Sequence, residues 1–281
     1  MSDIGDIKPQ KLTKHEKSEV EDLVRPRAAM LYEVVRQEGC RELERTFGAL
    51  WWSGIAAGLS LGFSVLVMAV LETFVSDAGL GGGLITPLGY SVGFLIVVLA
   101  RQQLFTENTI TAILPLMVET TWPNLYRTAR LWSIVLIANL VGTFVFTIFM
   151  AYSGAASDDV LAAARKIALH LMDKSTSEMF FGAIFAGWLI ASMVWLTPST
   201  EGAEFWVVLI ITYVIALIGA SHIIAGSVEA YLLVLNGDIS IFYAVVHFGI
   251  PTFLGNVVGG TTLFAMISYA QVRQEITTEK P

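Results

Sequence analysis

Six apolar stretches are the feature that most restricts how this chain can fold. They lie at residues 51–74, 87–118, 131–152, 179–196, 205–236 and 241–270, and a membrane-spanning helix needs roughly 20 such residues. Only 15% of the 281 residues are charged, whereas soluble domains have roughly 25%. The pattern predicts an all-α membrane protein with six spans, of which the second and the fifth are long and interrupted by polar residues.

The charge and the cysteine content exclude several other classes of protein. A net charge of −7 disfavours a nucleic-acid partner, because such partners are bound largely through basic residues. Cys40 is the only cysteine, so an intrachain disulfide is impossible and a Cys/His metal cluster is not expected. We predict no cofactor, and we expect the lipid bilayer to surround the spans.

The basic residues predict the orientation in the membrane. Six spans place both termini on the same side, and 13 of the 17 Lys and Arg residues fall on that side, with three on the other. Because basic loops stay in the cytoplasm, both termini are predicted to be cytoplasmic, in the inner or plasma membrane. The predicted organisation is a cytoplasmic leader at 1–46 with an amphipathic helix near 28–46, a transmembrane domain at 47–270 and a cytoplasmic tail at 271–281.

Two patterns suggest close packing and an internal duplication. Gly54, Gly58 and Gly62 are four residues apart, so they form a flat strip on one face of the first span and favour close approach of another helix. Residues 138–142 in span three resemble residues 255–259 in span six, at an offset of 117. Three spans per copy require the second copy to be inserted upside down, as in many transporters.

The same offset relates the polar interruptions of the two longest spans. It takes Phe105 and Thr106 to His222 and Ile223, within the interruptions at 101–109 and 219–227. A half-helix that begins after such a break directs its N–H groups and positive dipole end towards the middle of the membrane. Two facing ends of this kind suit a small anion.

The interrupted spans carry a family resemblance. Leu104-Phe105-Thr106, Gly219-x-x-His222 and Gly255-Asn256-x-x-Gly259-Gly260 resemble the formate/nitrite transporter family over about residues 30–270. The resemblance implies an aquaporin-like six-helix fold of two inverted three-helix repeats and a homo-pentamer with one pore per protomer. It also implies passage of small monovalent anions such as formate, nitrite or hydrosulfide. Phe105 and Thr106 match the loop in span two, and His222 matches the pore histidine.

The chain also departs from the family pattern at several positions. Gln103 replaces an acidic residue, Glu107 replaces a small one, and Gly226 stands four residues after the histidine where the family often has asparagine. Gly187 stands where an asparagine is expected in span four, and Lys174 is the candidate for a lysine expected ahead of that span. The departures mark a divergent branch of the family.

The residues at the breaks have a functional and a structural interpretation each. His222 either donates to an anion, with or without supplying a proton, or is a structural histidine bonded to loop carbonyls. Thr106 either lines the pore or caps the helix that begins there. Leu104 and Phe105 form an apolar constriction or belong to the core.

The charged residues likewise have both a structural and a functional interpretation. Arg101, Glu107 and Glu229 are expected within spans, where a lone charge is costly, so we predict a buried pairing of Arg101 with one of the acids; the alternative is that they tune the pore. Lys174 is either part of an anion-attracting mouth or an interfacial lysine. Asn139 and Asn256 are predicted to support the two loops through their amides.

The predicted function is a channel or a proton-coupled transporter for small monovalent anions, and the sequence leaves the choice between these two open. A membrane scaffold or sensor that transports nothing is the main alternative. An intramembrane enzyme using Ser221 and His222 is less favoured, because neighbouring residues do not face each other on a helix.

Overall fold

The computed structural model describes residues 13, 26–77, 83–200 and 202–278, and in these parts of the chain all regular secondary structure is helical. Most of the predicted leader before residue 26, and the last three residues of the tail, lie outside the described residues. The first half contains α1 (Ala28–Glu44), α2 (Phe47–Asp77), α3 (Tyr90–Leu99), α4 (Phe105–Thr111), α5 (Ile113–Val118) and α6 (Trp122–Tyr152). The second half contains α7 (Asp158–Met172), α8 (Thr176–Leu196), α9 (Glu204–Leu217), α10 (Ile223–Leu235), α11 (Ile241–Tyr243), α12 (Ile250–Val257) and α13 (Met266–Thr278).

The helices account for six spans. Spans one, three and four are α2, α6 and α8, and span six is one long helix from α11 to α13 that includes π-helical stretches at Ala244–Gly249 and Val258–Ala265. Span two is broken between α3 and α4, and span five between α9 and α10. Both interruptions predicted from the sequence are therefore real breaks in the helix.

The helices of spans three and six extend beyond their predicted bounds. Span three begins at Trp122 rather than at residue 131, and span six continues to Thr278 rather than ending at 270. The added turns contain polar and basic residues, which an apolar pattern cannot detect but which a helix tolerates where it leaves the membrane. The predicted amphipathic helix corresponds to α1, whose buried residues are Tyr32, Val35, Gly39 and Leu43.

The glycine strip on α2 packs against α6, as predicted. A Cβ atom at Gly54 would lie 2.7 Å from the Cβ atom of Ala138, and one at Gly58 would collide with the carbonyl oxygen of Asn139. The same contacts recur between α8 and span six in the second half. Gly187 approaches the Asn256 carbonyl as Gly58 approaches that of Asn139, and Gly259 approaches the Ile184 carbonyl as Gly142 approaches that of Ile55.

The two breaks also share one backbone geometry. Two residues after the end of α3, Arg101 has φ 53°, and two residues after the end of α9, Gly219 has φ 64°, both in the left-handed region. In each case the N–H of the following residue reaches back five residues to a carbonyl of the helix it leaves. These positions differ by 118 residues, so the offset of 117 is wrong at the breaks by one: the structural counterpart of His222 is Leu104, and that of Ile223 is Phe105.

Helices α1 and α7 cover opposite ends of the bundle. Helix α1 packs against the end carrying α13 and the end of α8, through ring contacts of Tyr32 with Trp195 and Tyr269. Helix α7 packs against α2 and α10 at the other end. We call these ends the terminal side and the α7 side.

Candidate transport site

The N-termini of α4 and α10 meet at a buried hydrogen bond between the two halves. Thr106 Oγ1 lies 2.8 Å from His222 Nε2. Thr106 is fully buried and His222 is 1% exposed, so the pair is closed off from both sides in this structure. The breaks therefore bring together Thr106 and His222, two of the residues singled out from the sequence.

The second ring nitrogen of His222 decides which atom carries the proton. His222 is the N-cap of α10, and its Nδ1 atom accepts the backbone N–H of Ala225 at 3.2 Å. A nitrogen that accepts a hydrogen bond carries no proton, so the neutral ring is protonated at Nε2. His222 therefore donates to Thr106, and the threonine hydroxyl keeps its own proton to offer to another group.

Two asparagines brace the breaks in the same way. Phe105 N–H donates to Asn139 Oδ1 at 2.9 Å, while Asn139 Nδ2 donates to the carbonyl oxygens of Gly54 and Gln103 at 2.8 Å each. Each amide thus joins the start of a half-helix to the loop before it and to a neighbouring span.

In the second half, Asn256 repeats this arrangement. Ile223 N–H donates to Asn256 Oδ1 at 2.9 Å, and Asn256 Nδ2 donates to the carbonyl oxygens of Ala183 and Ser221 at 2.8 and 3.0 Å. The N–H groups of Phe105 and Ile223 donate hydrogen bonds to the side chains of Asn139 and Asn256, so these two groups are not free to bind an anion.

Aromatic and aliphatic side chains surround the Thr106–His222 pair. Phe94 meets the His222 ring edge-on, with ring centroids 5.1 Å apart. Phe105 packs instead on Phe253, at 5.4 Å, and on Trp132, at 5.8 Å. Leu104 is the N-cap of α4 and is 1% exposed. An anion at the pair would therefore be enclosed mainly by apolar groups.

The predicted buried pairing of Arg101 is wrong. The Arg101 side chain is 78% exposed, and its Nη1 atom pairs with Glu38 Oε1 of α1 at 3.0 Å. The left-handed backbone at Arg101 ends α3, and the long side chain leaves the span on the terminal side, where no burial cost arises. Glu107 lies near this pair, and its Oε1 atom accepts no hydrogen bond from any described residue. Glu229 lies on the α7 side.

Lys174 reaches the second break from the α7 side. Its Nζ atom donates to the carbonyl oxygen of Gly219 at 2.5 Å, and its own carbonyl accepts from His247 Nε2 at 2.8 Å. Burial lowers the pKa of Lys174, and the carboxylates of Glu229 and Glu178 act in the opposite direction. Lys174 thus places a cation beside Gly219, the residue of the second break that corresponds to Arg101 in the first.

The remaining departures from the family pattern have packing explanations. Gly187 faces the Asn256 carbonyl, so a side chain there would separate α8 from span six. Gly226 leaves room for the ring of Phe248, which a Cβ atom would approach to 2.7 Å. Gln103 is bonded within the first break: its N–H donates to Ser53 Oγ at 3.0 Å, and its Oε1 accepts from Asn108 at 3.2 Å.

The serine and histidine required for the enzymatic alternative are not paired. Ser221 Oγ donates to Met179 Sδ at 3.5 Å, whereas the His222 ring is bonded to Thr106 and Ala225. Thr106 and His222 do not form a nucleophile–base pair either, because Nε2 carries the proton and a base needs a free lone pair.

A family model described as formate/nitrite transporter matches residues 29–270, nearly the whole transmembrane part. The chain belongs to the formate/nitrite transporter family. It is 40% identical to the inner membrane protein YfdC of Escherichia coli over 280 residues, which cover 99% of this chain and 90% of YfdC. It is 25% identical to the formate channel BtFdhC of Bacillus thuringiensis, covering 88% and 96% of the two chains.

Solved structures of similar proteins have the same fold. An FNT family ion channel superposes with a TM-score of 0.73 at 18% identity, covering 86% of this chain and 98% of that one. A pentameric formate channel with formate bound gives a TM-score of 0.69 at 19% identity, covering 81% and 98%. The six-span formate/nitrite transporter fold predicted from the sequence is thereby confirmed, and the contacts repeated between its halves are consistent with the predicted inverted repeat.

Sequence reasoning missed two aromatic residues beside the site. Phe94 packs on His222, and Tyr90 contacts Phe94 one turn towards the α7 side, with ring centroids 5.1 Å apart. Both lie in the apolar run before the first break, away from the polar residues of the break itself. Their spacing of four residues, which places them on one helix face, was the available signal.

Proposed function

We propose that this chain conducts small monovalent anions of the formate, nitrite or hydrosulfide class through a pore that passes the Thr106–His222 pair. The observation that carries the proposal is the neutral His222 ring, which holds the Thr106 hydroxyl at the junction of the two half-helices. Two relatives are named formate channels, and one superposable structure has formate bound. Membership of a transporter family supports transport over the scaffold and the enzyme.

The chemistry at the pair favours an anion that is small and a good hydrogen-bond acceptor. The hydroxyl of Thr106 donates to the anion while its oxygen accepts from His222, so the donor is polarised by the ring behind it. The N-terminal dipole ends of α4 and α10 add positive potential at the same place. Phe94 and Leu104 exclude the hydration shell that a larger or more strongly hydrated ion would retain.

We further propose that the protein is a homo-pentamer in the inner or plasma membrane, with one pore per protomer and the terminal side in the cytoplasm. The excess of Lys and Arg on the terminal side supports this orientation. Lys174 would then face the outer solution and attract anions to the break.

Proteoliposomes containing the full chain test this function. Uptake of formate, nitrite, hydrosulfide, acetate and lactate is compared for the wild type, Thr106→Val and Thr120→Val. A hydrogen bond to a charged group is worth about 1.5–3 kcal/mol, so Thr106→Val should reduce flux by roughly 10- to 100-fold. Thr120, an exposed threonine after α5 whose hydroxyl donates to the Leu116 carbonyl, is the control and should keep wild-type flux.

The same assay separates the alternatives. Wild-type vesicles that pass none of these anions would indicate the scaffold or sensor. Equal flux in wild type and Thr106→Val would show that the anion takes a route away from the pair.

A further inference from the structure

Glu229 is a buried acid that has no role at the Thr106–His222 pair. It lies on α10, seven residues after His222 and therefore on nearly the same helix face, about 10 Å towards the α7 side. It is 7% exposed, and its carboxyl group has no hydrogen bond or ion pair with any described residue. An ionised carboxylate so placed is costly, because burial removes water without supplying donors in return.

The groups that face Glu229 are few. Lys174, from the loop between α7 and α8, and Tyr90, at the start of α3, interact with it electrostatically. Two cations of α7, the helix that packs on α10, are engaged elsewhere: Arg165 pairs with Asp238 at 2.5 Å, and Lys166 pairs with Glu72 at 2.8 Å.

Lys174 in turn has Glu178 and His247 beside it. The ammonium of Lys174 donates a hydrogen bond to the Gly219 carbonyl, which holds it beside the second break. Lys174 is therefore placed to attract an anion, and Glu229 is the acid that the anion meets beside it.

His222 has no proton that it could transfer to an anion while keeping its hydrogen bonds. In the neutral ring the proton on Nε2 is the one that holds Thr106, and losing it would leave an imidazolate. Adding a proton at Nδ1 would cost the ring its bond from Ala225 and α10 its N-cap. The histidine therefore acts as a neutral donor that orients Thr106.

We propose, resting on the function proposed above, that Glu229 is the proton donor for a small weak-acid anion on the α7 side of the Thr106–His222 pair. The anion gathers beside Lys174 and takes the carboxylic proton of Glu229. For formate, HCOO⁻ and Glu229 carboxylic acid become HCOOH and Glu229 carboxylate. The neutral acid crosses the apolar passage past Tyr90 and Phe94 and accepts the Thr106 hydrogen bond through its carbonyl oxygen. Glu229 recovers a proton from water on the α7 side while Lys174 offsets its transient charge.

The test measures formate uptake and internal acidification together, in proteoliposomes of the full chain, with outside pH between about 5 and about 8. Wild type should take up protons with formate, and faster as outside pH falls. Glu229→Gln keeps the shape but carries no transferable proton, and it should lose about 100-fold or more of the proton-coupled uptake. Its remaining flux should not vary with pH.

Two further variants separate proton transfer from structure. Glu229→Asp keeps a carboxyl group and should retain the pH dependence at reduced rate. Glu178→Gln removes another carboxylate that interacts with Lys174, while glutamine preserves the helix cap, and it should keep the wild-type pH profile. Thermal unfolding of all variants shows whether each is folded.

The outcomes distinguish the two proposals. A wild type that moves no anion would overturn the proposed function, and the role of Glu229 with it. A wild type with proton-coupled uptake, together with a folded Glu229→Gln of the same pH profile, would overturn only the role of Glu229. A flat profile in both Glu229→Gln and Glu229→Asp would contradict proton donation and assign Glu229 a steric role.

Discussion

Arg101 shows why a single charged residue is hard to interpret from sequence. It falls within an apolar run, which suggests a buried charge, yet its backbone has φ 53° and its side chain is 78% exposed. The conformation at the end of α3 decides the direction of the side chain, and no pattern of neighbouring residues encodes it. His222, in contrast, was identifiable because it is a polar residue at the start of a half-helix.

The exposed pair and the left-handed backbone predict a small effect of mutating Arg101. An exposed ion pair contributes about 0.2–1 kcal/mol, and a non-glycine residue in the left-handed region costs about 1–2 kcal/mol. Arg101→Gly should therefore change the free energy of unfolding by no more than about 1 kcal/mol, as measured by tryptophan fluorescence during unfolding in detergent.

Gly219→Ala is the matched variant at the other break. It places a side chain at φ 64° and should destabilise the protein by about 1–2 kcal/mol. A loss above about 3 kcal/mol for Arg101→Gly would be typical of a broken buried ion pair, and would contradict the exposed position of Arg101.

The elements owe their arrangement to close contacts between helix backbones. The apolar runs predicted all six spans, because length and hydropathy are properties of the sequence alone. The glycine spacing predicted which face of α2 packs, and the Gly-Asn pattern indicated where loop support would come from. The predicted alignment of the second break with the first is wrong by one residue. The asparagine follows the start of the half-helix by 34 residues in the first half and by 33 in the second.

The contact between α2 and α6 predicts the effect of adding one methyl group. A Cβ atom at Gly58 would collide with the Asn139 carbonyl and lie 2.9 Å from Gly142 Cα. Gly58→Ala should destabilise the protein by about 1–3 kcal/mol, as overpacked sites do. Gly48→Ala, on the same helix with nothing within 4 Å of its added atom, should be neutral or slightly stabilising. Thermal unfolding of the two variants side by side measures the difference, and equal melting temperatures would show that α2 and α6 separate freely.

At the scale of the whole molecule, the described surface carries many large apolar side chains, including Phe63, Phe144, Phe149, Trp206 and Phe242. Lipid and neighbouring protomers are the partners that such a surface requires. Sequence could predict that this surface exists, but it could not divide it between lipid and protein, since both contacts select the same apolar residues.

Assembly can be measured directly. Native mass spectrometry in mild detergent should show five copies of the 30.6 kDa chain. A monomer or tetramer as the sole species of the wild type would contradict the pentamer while leaving the fold of the protomer intact.

The positions of the two asparagines have a consequence for the order of events during synthesis. Asn139 follows Phe105 by 34 residues, and Asn256 follows Ile223 by 33, so each break receives its brace from the half of the chain in which it lies. Thr106, in contrast, precedes its hydrogen-bond partner His222 by 116 residues. As the ribosome extends the chain from its N-terminus, the first half can complete its own broken helix before the second half has left the ribosome. The bond across the centre can form only after His222 has been made, when the first break already has its supporting asparagine.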